Sequence, residues 1–485
     1  MAVPEPKTHV ALLVSPGMGH LIPFLELADR LVLHHNLQTT LFVVNTDSSS
    51  AADALLLQKS SAVNIVPIRH SSSSLDPTVP VVDRIKVMMT ASYPHVRSYI
   101  AAAEPRPVAL IVDLFGTEAI AMAHELGMLG FVFMPTSAWF LSLFFFFPCM
   151  DKQMLDAHAH NHEPLRIPGC SSVRFEDTIE GLEVSLEEVH EEFRRVAREL
   201  GMADGILANT WQDLEPTTLK ALNEAGTLSN GKVNKVPIYP IGPLARRGEP
   251  NLESEVLNWL DRQPDESVIY ISFGSGGTLC GEQITELAWG LELSQQRFVW
   301  VIRPPAGTDP MGTFFTVETE STEKTSTEYL PEGFLKRTEE VGLVVPMWGP
   351  QAEILRHRSV RGFVTHCGWN SSIESIVNGV AMVTWPLYAE QKMNAVMLTE
   401  EVGVAVRGRA EGVVGRAEIE RWVRRIMVDE EGRGIRERVK AVKNSGEKAV
   451  CKGGSSYNSL AHVASECNVF RCGRDGRCVE VSIPL

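Results

Sequence analysis

The chain is short of several things that would settle its class at once. Of its 485 residues only 8 are cysteine, too few and too dispersed for a disulfide scaffold. The tail group Cys467, Cys472 and Cys478 has neither a C-x2-C spacing nor a histidine pair, so no metal site is expected there and the thiols are read as free. Lysine and arginine number 45 against 60 acidic residues, and a formal net charge of −15 leaves no basic stripe to neutralise many phosphates. Nucleic acid is therefore not an expected partner, whereas a small anion responds to local dipoles more than to net charge.

Long apolar runs are missing as well. The most apolar segment, Ala138 to Pro148 (AWFLSLFFFFP), is well short of the ~20 residues that span a bilayer and predicts a buried helix. The opening MAVPEPKTH lacks a basic n-region, and VALLV is too short for the apolar core of a secretory signal. These features predict a cytoplasmic protein with no stable membrane insertion. What is present is ordinary for a globular chain, 44% apolar and 22% charged, in a length that suits two or three domains.

The pattern of the first half is then repeated in the second. Apolar, β-branched runs at Val10–Val14, Thr39–Val44, Asn64–Ile68, Val108–Asp113 and Gly130–Pro135 alternate with helical stripes. A Pro- and Gly-rich stretch, Pro237–Pro250, reads as the linker. Strand-like runs resume at Ser267–Phe273, Arg297–Ile302, Gly342–Pro346, Gly362–His366 and Ala381–Pro386. Such alternation predicts an α/β fold, two doubly wound Rossmann-like domains facing each other across a cleft. The boundaries are set at residues 1–245, 246–460 and a tail, 461–485, that packs back on the first domain. Ala306–Glu328 and the serine runs Ser48–Ser50 and Ser71–Ser74 read as loops.

The first turn, VSPGMGHLIPFLELADRL, passes from strand to helix through Pro16 and Gly17 and places His20 at the junction. It fails the dinucleotide fingerprint: Ile22 takes the third glycine's place, and no acidic residue follows about 20 positions on. A histidine at a helix start often does no more than bond locally. Ligands of parallel sheets, however, bind beyond the carboxyl ends of the strands, and both His20 and Asp113 fall at that end.

The segment Trp348 to Gln391 carries more chemistry. A strand ends in His366-Cys367-Gly368-Trp369-Asn370-Ser371 and a helix begins there, a ready anion site with side-chain donors added to its backbone N–H groups. Glu374 lies one turn beyond Asn370, on the same side of that helix, where a carboxylate suits a vicinal diol such as ribose. Trp348 offers a flat face for a base. Each feature alone has an ordinary structural reading; together they describe a nucleotide pocket.

This segment closely resembles the PSPG box of plant UDP-dependent glycosyltransferases. Trp348, Pro350, Gln351, Ile354-Leu355, His357, Phe363, His366 through Ser371, Glu374, Gly379-Val380, Trp385-Pro386 and Gln391 all fall on the motif, and Ala381 departs from it where a proline is usual. The resemblance covers nearly the whole chain: VSPGMGHLIP, VDLFGTEA, YISFGSGGTL and LYAEQKMNA are similar to the branch acting on phenols and related aromatics. It implies the GT-B fold, with the acceptor in the N-terminal half and the UDP-sugar in the C-terminal half. It implies that Trp348 stacks on uracil beside the backbone of Gly349, that Gln351 and Glu374 hold the ribose, and that Ser275, His366, Asn370 and Ser371 hold the diphosphate. Trp369, Glu390 and Gln391 would meet the sugar hydroxyls, with Thr136 reaching across from the other domain. Phe115, Trp139 and Ala389 are placed with His20 on the acceptor side. A closing glutamine goes with UDP-glucose in this family, and UDP-glucose would be a co-substrate with no cofactor or metal beside it.

On this reading His20 is a general base. A phenol, with pKa near 10, is a poor nucleophile until a neutral imidazole takes its proton. Asp113 would fix the imidazole tautomer and stabilise the imidazolium, as the carboxylate does in a serine-protease triad. One displacement opposite UDP inverts the anomeric carbon. O-Glucosylation is expected, and C-glucosylation of an activated ring carbon would use the same base and donor site. An NAD(P)-dependent oxidoreductase and an inactive sugar-nucleotide binding protein are the alternatives from other classes. The chain is expected to act as a monomer. Acceptor choice is assigned to loops near Asp83–His95 and Phe140–Leu155.

Overall fold

The computed structural model describes residues 7–46, 62–71, 76, 79–179, 182, 187–225, 227–229, 232–234, 236–246, 254–305, 327–408 and 412–474. The loop expected over Ala306–Glu328 lies almost wholly outside these residues, as do Ser48–Ser50, Ser72–Ser74 and Cys478.

Two parallel sheets organise the chain. The first contains β1 (His9–Val14), β2 (Gln38–Thr46), β3 (Asn64–His70), β4 (Ala109–Val112), β5 (Leu129–Met134) and β6 (Gly205–Ala208), and after a short hairpin of β7 (Thr227–Ser229) and β8 (Lys232–Asn234) it ends with β9 (Ile238–Pro240). Its spatial order is β3-β2-β1-β4-β5-β6-β9. The second contains β10 (Val268–Ser272), β11 (Arg297–Ile302), β12 (Gly342–Pro346), β13 (Val360–Thr365), β14 (Ala381–Thr384) and β15 (Ala405–Arg407), in the order β12-β11-β10-β13-β14-β15. Both orders reverse next to their first strand, β1 beside β4 and β10 beside β13. In doubly wound sheets that reversal opens the crevice where ligands bind. The fold therefore supplies two such crevices, one per lobe.

The central strands are apolar throughout because helices cover both faces. Every residue of β1 is buried, and the side chains of β1, β4 and β5 alternate between two clusters on opposite faces of the sheet. One cluster packs β1 and the helix Met18–His35 against the long terminal helix Ser455–Arg474, through Leu460, Val463, Ala464 and Cys467. Tyr239 Oη donates to Glu466 at 3.0 Å on the same contact, so the last helix is seated on the N-terminal lobe.

The structure departs from the sequence reading in three places. The proline-rich stretch taken as linker begins inside the first sheet: Ile238–Pro240 is its edge strand, a position where a proline without an N–H is tolerated. β6 and β15, of four and three residues, were too short to stand out by pattern. The regions expected as acceptor loops are mostly helical, since Asp83–His95 lies within the helix Val81–Ala102, and Phe140–Phe146 belongs to the buried helix Ala138–Phe146. Serine caps the latter helix: the Ser137 hydroxyl accepts the Phe140 N–H at 3.4 Å.

Candidate active site

In the front lobe, β1 and β4 run in register with Leu13 beside Val112, so the residues that follow them emerge side by side. Asp113 leaves β4 as the cap of a short turn, Leu114–Gly116, and its Oδ1 accepts the Phe115 N–H at 3.1 Å. Its Oδ2 accepts the Ser15 N–H at 3.0 Å and a short bond from the Ser15 hydroxyl. Asp113 is 0% exposed, and these donors hold its carboxylate without a cation. His20, in the first turn of the helix Met18–His35, places Nδ1 3.0 Å from Asp113 Oδ2 while its side chain stays 20% exposed. With Nδ1–H directed at the carboxylate, Nε2 is left as the accepting nitrogen. The Phe115 ring lies 5.3 Å from the imidazole, centroid to centroid. The two predicted catalytic side chains, 93 positions apart in sequence, thus meet.

The rear lobe builds its crevice in the same way. Ser272 of β10 pairs with Thr365 of β13, which brings the glycine turn after β10 against His366. A Cβ at Gly274 would fall 2.5 Å from His366 Nε2, and one at Gly368 would fall 2.4 Å from it. The imidazole fits only because both flanking residues lack side chains. Burial pushes the His366 pKa down to about 4, so the ring is neutral at physiological pH. Cys367, between His366 and Gly368, adopts a left-handed φ of 64°, and Met347 before Trp348 and Ala389 before Glu390 do the same at 60° and 54°. Three non-glycine residues held this way mark turns whose shape is imposed by their surroundings.

The helix Trp369–Asn378 follows directly. Gly368 offers no side chain to cap it and no acidic residue lies in its first turn, so its N-terminal dipole faces the crevice unopposed. Gln351 donates from Nε2 to Ser371 Oγ at 2.9 Å and to Glu374 Oε2 at 2.8 Å, joining three predicted donor residues in one network. Burial pushes the Glu374 pKa up to about 7 against the opposing hydrogen bond from Gln351. Trp348 presents 39% of its surface, unusual for tryptophan, and Gly349 beneath it is packed so closely that a Cβ would meet Val301 at 2.9 Å. Ser275 is half-buried in the Gly274–Gly277 turn. Thr136 Oγ1, His366 Nδ1 and Asn370 Oδ1 are buried without a partner in the described structure, and all three belong to the predicted donor site. Their hydrogen-bonding capacity is left for a group that enters the crevice.

Other predicted residues are engaged in ways the sequence did not suggest. The Trp369 indole N–H donates to the Asn209 carbonyl at 2.8 Å, across the lobes. Asn370 Nδ2 donates to the Gly19 carbonyl, again across the lobes. Gln391 Oε1 accepts the Leu387 and Tyr388 N–H groups at 2.8 and 3.0 Å and so fixes the turn that carries Ala389 and Glu390. Glu390 is half-buried, raised in pKa by burial, and lies in electrostatic reach of His20. Trp139 is fully buried. Asn394 was not singled out, yet it accepts from Ser137 Oγ at 2.9 Å and donates to the Cys367 carbonyl at 3.0 Å, tying the two lobes beside the site. Its place one turn beyond Glu390 on the helix Gln391–Val396 was the available signal. Among the described residues no group of three or more histidine, cysteine or acidic side chains converges as a metal site.

Two facing Rossmann-like lobes, with a histidine–carboxylate pair in one and a phosphate-ready helix start in the other, define a glycosyltransferase of the GT-B kind. The family described as UDP-glucoronosyl and UDP-glucosyl transferase matches residues 237–431. The chain is 47% identical over 470 residues to UDP-glycosyltransferase 72E1 of Arabidopsis thaliana, covering 95% of this chain and 96% of that protein. It is 48% identical over 468 residues to anthocyanidin 3-O-glucosyltransferase 5 of Manihot esculenta, covering 95% of each. The solved structure of TcCGT1 in complex with UDP superposes with a TM-score of 0.89 at 43% identity, covering 96% of this chain and 100% of that one. The protein belongs to the UDP-glycosyltransferase family and is an enzyme of that class. The oxidoreductase alternative is thereby set aside.

Proposed function

We propose that this enzyme transfers glucose from UDP-glucose to a hydroxyl oxygen of a phenolic or flavonoid-like small molecule, inverting the anomeric carbon, with His20 as general base. The observation that carries the proposal is the 3.0 Å contact of His20 Nδ1 with the buried Asp113 carboxylate, which leaves Nε2 to accept a proton. The acceptor oxygen attacks the anomeric carbon as the bond to UDP breaks, and its proton passes to Nε2. Asp113 stabilises the imidazolium that results. General-base assistance of this kind is worth roughly 10²–10⁴ in rate.

The departing UDP gathers negative charge. On this reading the first turn of the helix Trp369–Asn378, His366, Ser275 and Ser371 receive it, without a metal in the scheme. Trp348 and Gly349 take the uracil, and Gln351 and Glu374 the ribose. Glu390, Gln391, Thr136 and Trp369 take the sugar and its linkage. Phe115, Trp139 and Ala389 belong to the acceptor side. The acceptor class and O-linkage draw support from the matched anthocyanidin 3-O-glucosyltransferase, and the UDP site from the UDP-bound neighbour. We place the acceptor lobe at residues 1–245, the donor lobe at 246–460 and the tail at 461–485. The enzyme works as a monomer in the cytosol, a reducing setting in keeping with seven unpaired cysteines among the described residues.

Incubation of the pure protein with UDP-glucose and a panel of phenols and flavonoids tests the proposal. The expected product gains one hexose, is β-linked and is cleaved by acid, and chelation leaves the rate unchanged. An acid-stable product would mean transfer to carbon. Wild-type turnover of a simple phenol by the His20→Ala variant would remove the base from the scheme.

A further inference from the structure

Asp113 receives three donors on one oxygen. Oδ2 accepts the Ser15 backbone N–H at 3.0 Å, the Ser15 hydroxyl in a short bond, and His20 Nδ1–H at 3.0 Å. Oδ1 accepts the Phe115 N–H at 3.1 Å. Ser15 is 1% exposed and Asp113 0%, so water does not dilute these contacts. The two amides, one on each oxygen, already fix the plane of the carboxylate. The Ser15 hydroxyl is therefore not needed to aim it. What the hydroxyl does is draw charge from the oxygen that faces the histidine, since a carboxylate oxygen has only about two lone-pair sites to share.

We propose that Ser15 is a positioning residue that acts through Asp113, its hydroxyl competing with His20 for Oδ2 and so setting how basic the imidazole becomes. A general base must be neutral to work yet basic enough to take a phenolic proton, so its pKa has a best value near the operating pH. A carboxylate left wholly to the imidazole would stabilise the imidazolium more strongly. The hydroxyl moderates that pull. The inference rests on the reading of His20 as base.

Other ionisable groups face the pair. Glu390 reaches His20 from the rear lobe, and Tyr93, on the helix Val81–Ala102, lies in electrostatic reach of Asp113; Glu118, Glu199 and Arg195 in turn act on Tyr93. None of them bonds to Ser15 in the described structure, so a Ser15 substitution reads the hydroxyl rather than these charges.

The test is the pH profile of kcat/KM for one phenol in the wild type, Ser15→Ala and Ser15→Thr. In Ser15→Ala the acid limb should move to higher pH by about half to one unit, which lowers kcat/KM at pH 6 by about 3–10-fold. The plateau at high pH should change by less than about 2-fold, and KM for UDP-glucose should stay constant. Ser15→Thr keeps the hydroxyl and should restore the wild-type limb. If the alanine variant loses UDP binding, Ser15→Cys, with a weak S–H donor of similar size, carries the same comparison and should give a smaller shift in the same direction. An unmoved limb, or one displaced to lower pH as a merely loosened Asp113 would give, overturns the inference. Failure of the underlying reading looks different: His20→Ala would then retain turnover whatever Ser15 does.

Discussion

Asn370 supplies the hydrogen bond that Pro23 cannot. The helix Met18–His35 contains Pro23, which has no N–H to give the carbonyl four residues earlier, and that carbonyl belongs to Gly19. Asn370 Nδ2, from the first turn of the rear-lobe helix, donates to it instead. The break in one lobe's helix is thus filled by a side chain of the other, at the residue directly before His20. A gap that would destabilise an isolated helix becomes a point of attachment between the two lobes.

This geometry predicts that Asn370 matters for more than holding diphosphate. Asn370→Asp puts a carboxylate against the Gly19 carbonyl and should lower kcat more than Asn370→Ala does, by about 10-fold or more, since two acceptors then face each other where a donor and an acceptor stood. A variant that lost only a phosphate contact would show the loss chiefly in KM for UDP-glucose. Steady-state kinetics with the donor and the acceptor varied separately distinguish the two results.

The base itself is checked by acceptor acidity. His20→Ala should turn over an ordinary phenol at least about 10²-fold more slowly, but a phenol already ionised at the assay pH needs no proton removed and should recover part of the rate. The ratio of wild-type to variant rates should therefore shrink steadily as the acceptor pKa falls. A constant ratio across the series would mean that His20 does something other than accept that proton.

Glu374 makes donor binding depend on pH. Its pKa, pushed up to about 7 by burial, lies above the ordinary carboxylate value, so the empty folded site keeps the proton until pH rises through about 7. The contribution of this group to folding stability is complete below the unfolded pKa and is lost as pH rises through the folded one. On the proposed ribose-holding role of Glu374 binding runs the other way, because the ionised carboxylate is the better acceptor for two hydroxyls. UDP-glucose should bind more tightly at pH 8 than at pH 6, and a proton should be released on binding near neutrality. Calorimetry in buffers of different ionisation enthalpy reads that release, which Glu374→Gln should abolish.

Much of this site was legible in sequence because its parts are local. A strand end followed by glycine and a helix start places His20, Asp113, Gly274 and His366 at the carboxyl edges of their sheets, and the spacing from Trp348 to Gln391 carries the donor residues. Contacts between lobes were not legible. Trp369 with Asn209 and Asn394 with Ser137 depend on how two separately folded sheets meet, which no periodicity encodes. Ser15 escaped notice for a related reason: it reads as the last residue of a buried strand, and only the register of β1 with β4 turns it toward Asp113. The sequence reading places a loop around Asp83–His95, where the structure has the helix Val81–Ala102, because Pro94 and the polar residues mask the apolar stripe of Ile85, Met88, Met89 and Val96.

The lobes are also joined by a closed ring of alternating charges. Arg174 Nε donates to Asp177 at 2.6 Å and Arg174 Nη2 to Glu400 at 2.8 Å, both arginine contacts starting from the front lobe. Arg407, at the end of β15 in the rear lobe, completes the ring through Glu400 at 2.6 Å and a short bond to Asp177. Asp177 is the buried member, its side chain 7% exposed, and Glu400 the most open at 44%. Single exposed pairs are worth little, but a buried carboxylate left with fewer partners costs about 1–3 kcal/mol. Arg407→Ala removes both rear-lobe contacts and should lower thermal stability by that order. Glu400→Gln, which leaves the Arg407–Asp177 pair, should cost less. Because Asp177 is shielded from solvent, its two bonds should survive added salt while those of Glu400 weaken. The wild-type kcat/KM should then change only modestly between low and 0.5 M salt, whereas Arg407→Ala, held by fewer contacts across the cleft, should lose activity more steeply. Parallel salt curves for the two proteins would show that the ring does not govern how the lobes meet during turnover.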